Sequence, residues 1–276
     1  MLRASLIISP LLAAASLSLH AQTTPSGAPG PQAAASAPEQ APASPFTANI
    51  NVTTNYKFRG QDQGTLRYFS PAVQGGFDWS QNGFYLGNWN SNVSFAGNIE
   101  MDFYGGYKGE IAKDFGYDVG ILQYYYQQRK NPPVNFNTTE IYGALTYMWM
   151  SLKYSHTVST DYFGIGEAFQ GSVPLTSRPK GRNTGYLDYS ANYPLVDKLT
   201  LNGHLGYTRY ASDLRNVKDA TGATVGTPNY YDYKLGVTYD LGSGFSVAGA
   251  VAGASKRNYY GTINKTRAIF TVSKSM

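Results

Sequence analysis

The sequence has no cysteine among its 276 residues, only three histidines, and charge on just 14% of its positions. Without cysteine there is no disulfide scaffold, no four-cysteine zinc site, no thiol nucleophile and no lipoprotein anchor. Ordinary soluble domains carry about 25% charged residues, so the low charge argues against a typical water-exposed surface. The mean hydropathy of −0.33 excludes a bundle of membrane helices. The formal charge of +5 is spread along the chain rather than run together, which leaves no nucleic-acid footprint. What the chain has instead is 24 Tyr and 30 Gly.

Residues 1–21 read as an export signal: Arg3, then an apolar stretch from Ala4 to Leu19 broken at Pro10, then Ala21 as a small cleavage residue. That stretch is short for a spanning helix, which needs about 20 apolar residues. Residues 22–46 are rich in Ala, Pro and Ser with Glu39 as the one charge, and are expected to form a disordered linker.

From residue 48 onward apolar and polar residues alternate with a period of two, the mark of β-strands. In the clearest case Tyr231, Tyr233, Leu235, Val237, Tyr239 and Leu241 share one face, opposed by Asp232, Lys234, Gly236, Thr238 and Asp240. Twelve strands are expected, at 48–60, 67–79, 83–93, 99–109, 114–128, 138–148, 151–158, 185–193, 199–211, 230–241, 245–254 and 265–275. Most approach the 9–11 residues that cross a bilayer as a tilted strand, and an even strand number is the rule in bacterial outer-membrane barrels. Connections alternate between short and long, as periplasmic turns and outer loops do in such barrels. The expected fold is therefore an all-β, 12-stranded antiparallel transmembrane up-and-down barrel over 47–276. Tyr56, Trp79, Trp89, Trp149, Tyr193 and Tyr239 are placed as interfacial aromatics.

Several motifs in order resemble the TorF-type family of outer-membrane proteins, a conserved proteobacterial family of unknown function. They are Phe58-Arg59-Gly60, Gln74-Gly75-Gly76-Phe77-Asp78, Gly83-Phe84-Tyr85-Leu86-Gly87, Tyr104-Gly105-Gly106-Tyr107 and Gly116-Tyr117-Asp118-Val119-Gly120. Further along come Thr139-Glu140-Ile141-Tyr142-Gly143, Asp161-Tyr162-Phe163-Gly164, Asn192-Tyr193-Pro194-Leu195, Asp232-Tyr233-Lys234-Leu235-Gly236-Val237 and the terminal Val272-Ser273-Lys274-Ser275. The resemblance runs from about residue 46 to the end and implies a barrel and a porin, with no substrate or catalytic residue. Family members end in an aromatic residue that serves recognition by the barrel-assembly machinery; this chain ends in Met276.

A membrane barrel turns its polar face inward. The expected lumen residues are Lys57, Arg59, Asp78, Glu100, Asp102, Lys108, Asp118, Glu140, Lys153, Asp188, His204, Asp232, Lys234, Asp240 and Arg267. Glu100, Asp102, Asp118 and Glu140 form an acidic wall on strands four to six, facing Lys57, Arg59, Lys234 and Arg267. Two readings stay open: opposed charged walls around an aqueous path, or a salt-bridged plug that fills the lumen.

The longest loop, 159–184, is expected to narrow the mouth through Tyr162 and Phe163, with Arg178, Lys180 and Arg182 at the rim. The outer loops are basic (Arg129, Lys130, Arg215, Lys218, Lys256 and Arg257 besides), which suits lipopolysaccharide and other anionic lipid head groups or the steering of anionic solutes.

Ser155 and His156 are neighbours on a strand and point to opposite faces, so they make no catalytic pair. His204 shares a face with Ser190. No enzyme, cofactor, metal or nucleic-acid site is expected. The expected function is passage of small hydrophilic solutes, with a closed structural or loop-binding barrel as the first alternative and an outer-membrane lipid hydrolase as the second.

Overall fold

A computed structural model describes residues 44–64, 69–95, 98–127, 134–170, 173, 175 and 177–276. The export signal, nearly all of the linker, Arg129 and Lys130 lie outside the described residues.

Twelve antiparallel strands close into one barrel: β1 (Phe46–Thr53), β4 (Ala72–Gln81), β5 (Phe84–Asn92), β6 (Ile99–Ala112), β7 (Phe115–Tyr126), β8 (Thr138–Tyr147), β9 (Met150–Thr157), β10 (Gly185–Val196), β11 (Leu199–Arg209), β12 (Tyr230–Gly242), β13 (Phe245–Ala254) and β14 (Arg267–Ser275). Two further strands, β2 (Lys57–Phe58) and β3 (Gln61–Asp62), form a separate small hairpin. Short helices α1 (Ile165–Gln170), α2 (Ser212–Arg215) and α3 (Arg257–Tyr260) lie in the outer loops.

Closure removes the free edges, so every strand finds a hydrogen-bonded neighbour where lipid could offer none. β1 pairs β14 across the seam, from Asn49 opposite Ser275 to Thr53 opposite Thr271. Beyond that ladder, Ala48 and Met276 exchange both backbone hydrogen bonds, at 2.9 and 2.8 Å.

At one end all five connections are two-residue turns, at 82–83, 113–114, 148–149, 197–198 and 243–244. Asn82, Asp114, Met148, Lys198 and Ser243 take positive φ there, as tight hairpins of this twist require. The other end carries connections 54–71, 93–98, 127–137, 158–184, 210–229 and 255–266. The short end is periplasmic and the long end faces outward, by the rule for these barrels.

The outer surface is apolar. Val73, Phe77, Leu86, Phe103, Val119, Ile121, Ile141, Leu145, Leu152, Leu187, Leu205, Leu235, Val251 and Phe270 are all exposed. A water-facing barrel would bury these side chains; this one presents them as a band for lipid. The barrel lies in the outer membrane.

Two expectations are corrected. The first strand stops at Thr53 rather than running to Gly60, and the second begins at Ala72. Residues 55–63 turn into the lumen, so Tyr56, expected at the membrane interface, is buried there, as is Phe58. Trp89 is also internal and packs edge-on against Tyr56 with centroids 5.7 Å apart. It shares the parity of Gly87 and Ser91, opposite to the exposed Phe84 and Leu86.

Candidate functional site

Burial along each strand divides the lumen into two halves. On β12, Tyr230 and Asp232 are buried while Lys234 and Asp240 are exposed. On β6, Glu100 and Asp102 are buried while Tyr104 is half-buried and Lys108 exposed. On β8, Thr138, Glu140 and Tyr142 are buried and Ala144 and Thr146 half-buried. The outer half is filled, and the inner half is a vestibule open to the periplasm.

The filling is built first from the β2–β3 hairpin. Its two-residue turn is Arg59-Gly60, with φ of 44° and 77°. Both positive angles fit a type I′ turn. Gly60 is needed twice over, because a Cβ there would meet the Asp232 Cβ at 2.5 Å. The turn points Arg59 across the lumen. Its Nη2 donates to Glu140 Oε2 at 2.8 Å and its Nη1 to Oε1 at 3.1 Å. Nη1 also donates to the Tyr162 hydroxyl at 2.8 Å, and the guanidinium stacks 4.1 Å from the Tyr186 ring centroid. Planar, two-pronged pairing of this kind is the strong form of an ion pair.

The hairpin's base is held by a second cluster. Asp62 accepts from Arg267 Nε at 2.9 Å and lies 3.0 Å from the Lys57 ammonium. Lys57 donates onward to the carbonyls of Gly60 and Ile263 at 2.8 and 3.1 Å, and Gln61 donates to Asn264 at 2.9 Å. Lys57 and Arg59 thus enter the lumen on this hairpin and not on a strand face.

Aromatic rings bind the hairpin to the other loops. Phe58 packs edge-on with Tyr124 and Phe163 at 5.9 and 5.4 Å. The chain of rings continues through Tyr162, Tyr210, Tyr230 and Tyr260 at spacings of 5.3–6.1 Å. Tyr162 and Phe163 are buried, whereas Arg178 pairs within its own loop, with Asp161 at 2.9 Å and Glu167 at 2.6 Å. Lys180 and Arg182 are exposed.

The vestibule has two unlike walls. On β4–β8 the Tyr104 hydroxyl donates to Asp78 and the Tyr85 hydroxyl to Asp118, each at 2.5 Å, and Tyr85 also meets the Tyr142 hydroxyl. Gly106 makes room for this, since a Cβ there would overlap the Tyr85 oxygen. The rings therefore lie along the wall. Lys108 stands opposite Asp118 in register, and the Lys153 ammonium rests 3.5 Å from the Tyr142 centroid.

On β10–β12, His204 sits between two carboxylates. Its Nε2 is 2.8 Å from Asp232 Oδ1 and its Nδ1 3.2 Å from Asp188 Oδ2. Ser190 Oγ lies 3.3 Å from Nδ1 but donates its proton to Asp188 at 2.6 Å. Carboxylates at both nitrogens call for both N–H groups, which leaves the ring no lone pair to take a serine proton. Lys234 follows His204 on the next strand, and Asp240 accepts from the Gly242 amide at the periplasmic rim.

Residues 39–276 match the family described as "Bacterial protein of unknown function (Gcw_chp)". The chain belongs to that family. No curated protein matches it in sequence. Among solved structures it is similar to a KdgM porin in complex with disordered oligogalacturonate, with TM-score 0.50 and 11% identity over 83% of this chain and 99% of that one. A NanC porin aligns with TM-score 0.48 and 10% identity over 83% of this chain and 97% of that one. At these identities the first likeness speaks for the porin-like barrel fold alone.

Sequence reasoning missed the hairpin as a separate element and the role of Trp89. It did place Arg59 and Glu140 inside. The turn signal that could have found the hairpin is Arg59-Gly60 flanked by Phe58 and Gln61.

Proposed function

We propose that this barrel is a channel for small hydrophilic solutes, closed in this conformation by the β2–β3 hairpin. The observation that carries the reading is the division of the lumen. The outer half is filled by loops, and the inner half is a charged, tyrosine-lined vestibule open on the periplasmic side. A purely structural barrel needs no such vestibule; a gated channel does.

The hairpin is held by a few polar contacts and edge-on rings rather than by strand pairing, so it can leave without unzipping the wall. The long 158–184 loop supplies Tyr162 and Phe163 to the same closure. The finer TorF-type kinship, the export signal at 1–21 and the linker at 22–46 belong to this reading. So do contact of the basic outer loops with lipopolysaccharide and insertion by the barrel-assembly machinery. A non-enzymatic role fits a His204 whose nitrogens are both engaged by carboxylates.

Proteoliposome efflux of a small neutral sugar tests the proposal. A variant with residues 55–70 replaced by a short Gly-Ser linker should empty vesicles faster than the wild type, both keeping heat-modifiable migration. Equally tight vesicles with both proteins would favour the structural barrel.

A further inference from the structure

The β6 carboxylates Glu100 and Asp102 are not explained by the closure. Both side chains are fully buried, at 0% exposure. Glu100 Oε1 accepts from the Tyr126 hydroxyl at 2.8 Å, but Oε2 has no hydrogen-bond partner, and neither oxygen of Asp102 has one. Among the described residues no Lys, Arg or His pairs with either. Asp102 is therefore buried with no partner at all, which is costly for an acidic group, while Glu100 keeps its tyrosine contact on one oxygen only. Glu140, the neighbouring acid on β8, is already held by Arg59.

Aromatic faces surround the pair. Asp102 stands between Trp89 and Tyr124 in register, and Glu100 between Ser91 and Tyr126. Tyr56 covers them, packed on Trp89 with its hydroxyl toward Glu100. Above Tyr56 a cleft of about 180 Å³ opens between the first outer loop (Gly64, Ser70, Pro71) and the end of β5 (Asn92, Val93). That is more than ten times the ~15 Å³ one water needs.

We propose that Glu100 and Asp102, with Trp89, Tyr56, Tyr124 and Tyr126 around them, bind an organic cation bearing N–H donors, an ammonium or guanidinium group that enters from the cleft past Tyr56. Two carboxylates offer the acceptors that such donors need, and the rings offer the cation faces to lie against. A hard divalent metal fits worse. It takes six or more oxygens, and no group of three or more His, Cys, Asp or Glu able to hold a metal occurs among the described residues. The inference deepens the channel reading, naming cationic solutes as its substrate class, and rests on it for transport but not for binding.

The test uses tryptophan fluorescence. The chain has three Trp; Trp79→Phe with Trp149→Phe leaves Trp89 alone beside Asp102. The full-length protein refolded in detergent is titrated with methylguanidinium chloride at constant chloride, against sodium and calcium. A saturable change with methylguanidinium is expected, with affinity falling about 30-fold or more in Asp102→Asn and in Glu100→Gln. Each variant replaces a buried acid by its amide of nearly the same size, so the barrel should tolerate it, and heat-modifiable migration checks this. No saturable response, an unchanged response in Asp102→Asn, or tighter binding of calcium would overturn the site. A silent bilayer with an intact titration would count against the channel alone. A conducting barrel without titration would count against the cation site alone.

Discussion

Arg59 and Glu140 lie 81 residues apart in sequence and meet through two hydrogen bonds, at 2.8 and 3.1 Å, in the buried outer half of the barrel. One comes from a two-residue turn and the other from a wall strand, so the contact fixes the hairpin to the wall. Removing one partner leaves a charge buried and unpaired, at a cost of about 3–5 kcal/mol. Arg59→Ala and Glu140→Ala should each loosen the hairpin by that order. The double variant should cost less than the sum by at least about 1 kcal/mol. Hydrogen exchange of the amides at 57–62 would measure it, and simple additivity would show that the pair does not act as a unit.

Gly60 is the tightest point of the hairpin. Its φ of 77° and the 2.5 Å approach to Asp232 Cβ both oppose a side chain. Gly60→Ala should release the hairpin while the barrel still folds and migrates as a heat-modifiable band. Wild-type exchange rates at 57–62 in that variant would refute the close fit.

Phe163 is the ring on which the hairpin and the long loop meet, with neighbours Phe58, Tyr124, Tyr126 and Tyr162. Phe163→Ala should weaken the closure by about 3–5 kcal/mol. Removing only Arg178 should act on the loop's own fold, since its partners Asp161 and Glu167 are in the same loop. Exchange at 57–62 should therefore rise in the first variant and stay near wild type in the second.

Burial pushes the Glu167 carboxyl above its usual range, Asp161 adds to this, and Arg178 opposes it. A raised carboxyl value in the folded loop means that the fold holds the proton more tightly than the open chain does. The contribution to loop stability is then present at mildly acidic pH and is lost as pH rises through the folded value. Glu167→Gln should leave protease resistance of the 158–184 loop at neutral pH no lower than wild type and remove that part of its pH dependence. A loop that becomes readily cleaved in Glu167→Gln would mean that the ion pair outweighs the burial.

The barrel was legible because period two, turn residues and the short/long alternation all agree over twelve strands. β10–β13 fall within a few residues of where the pattern puts them. The first strand misled because Ile50, Val52, Thr54, Tyr56 and Phe58 continue the alternation without a break, although the backbone leaves the wall after Thr53. Only Arg59-Gly60 marks the turn. Among site residues, His204 and Ser190 could be brought together from strand parity, and they lie 3.3 Å apart. The choice of Glu140 as partner for Arg59 could not, because it depends on where a hairpin tip lands inside a closed wall. Of the residues expected on opposed charged walls, Lys57, Arg59, Glu140 and Arg267 lie in buried ion pairs around the hairpin.

The central claim is that the hairpin closes a channel, and single-channel recording of refolded Arg59→Ala beside the wild type tests it most directly. The account predicts rare, brief openings for the wild type and long, stepwise openings for Arg59→Ala at the same voltage. A silent Arg59→Ala barrel, correctly folded by heat-modifiable migration, would contradict it.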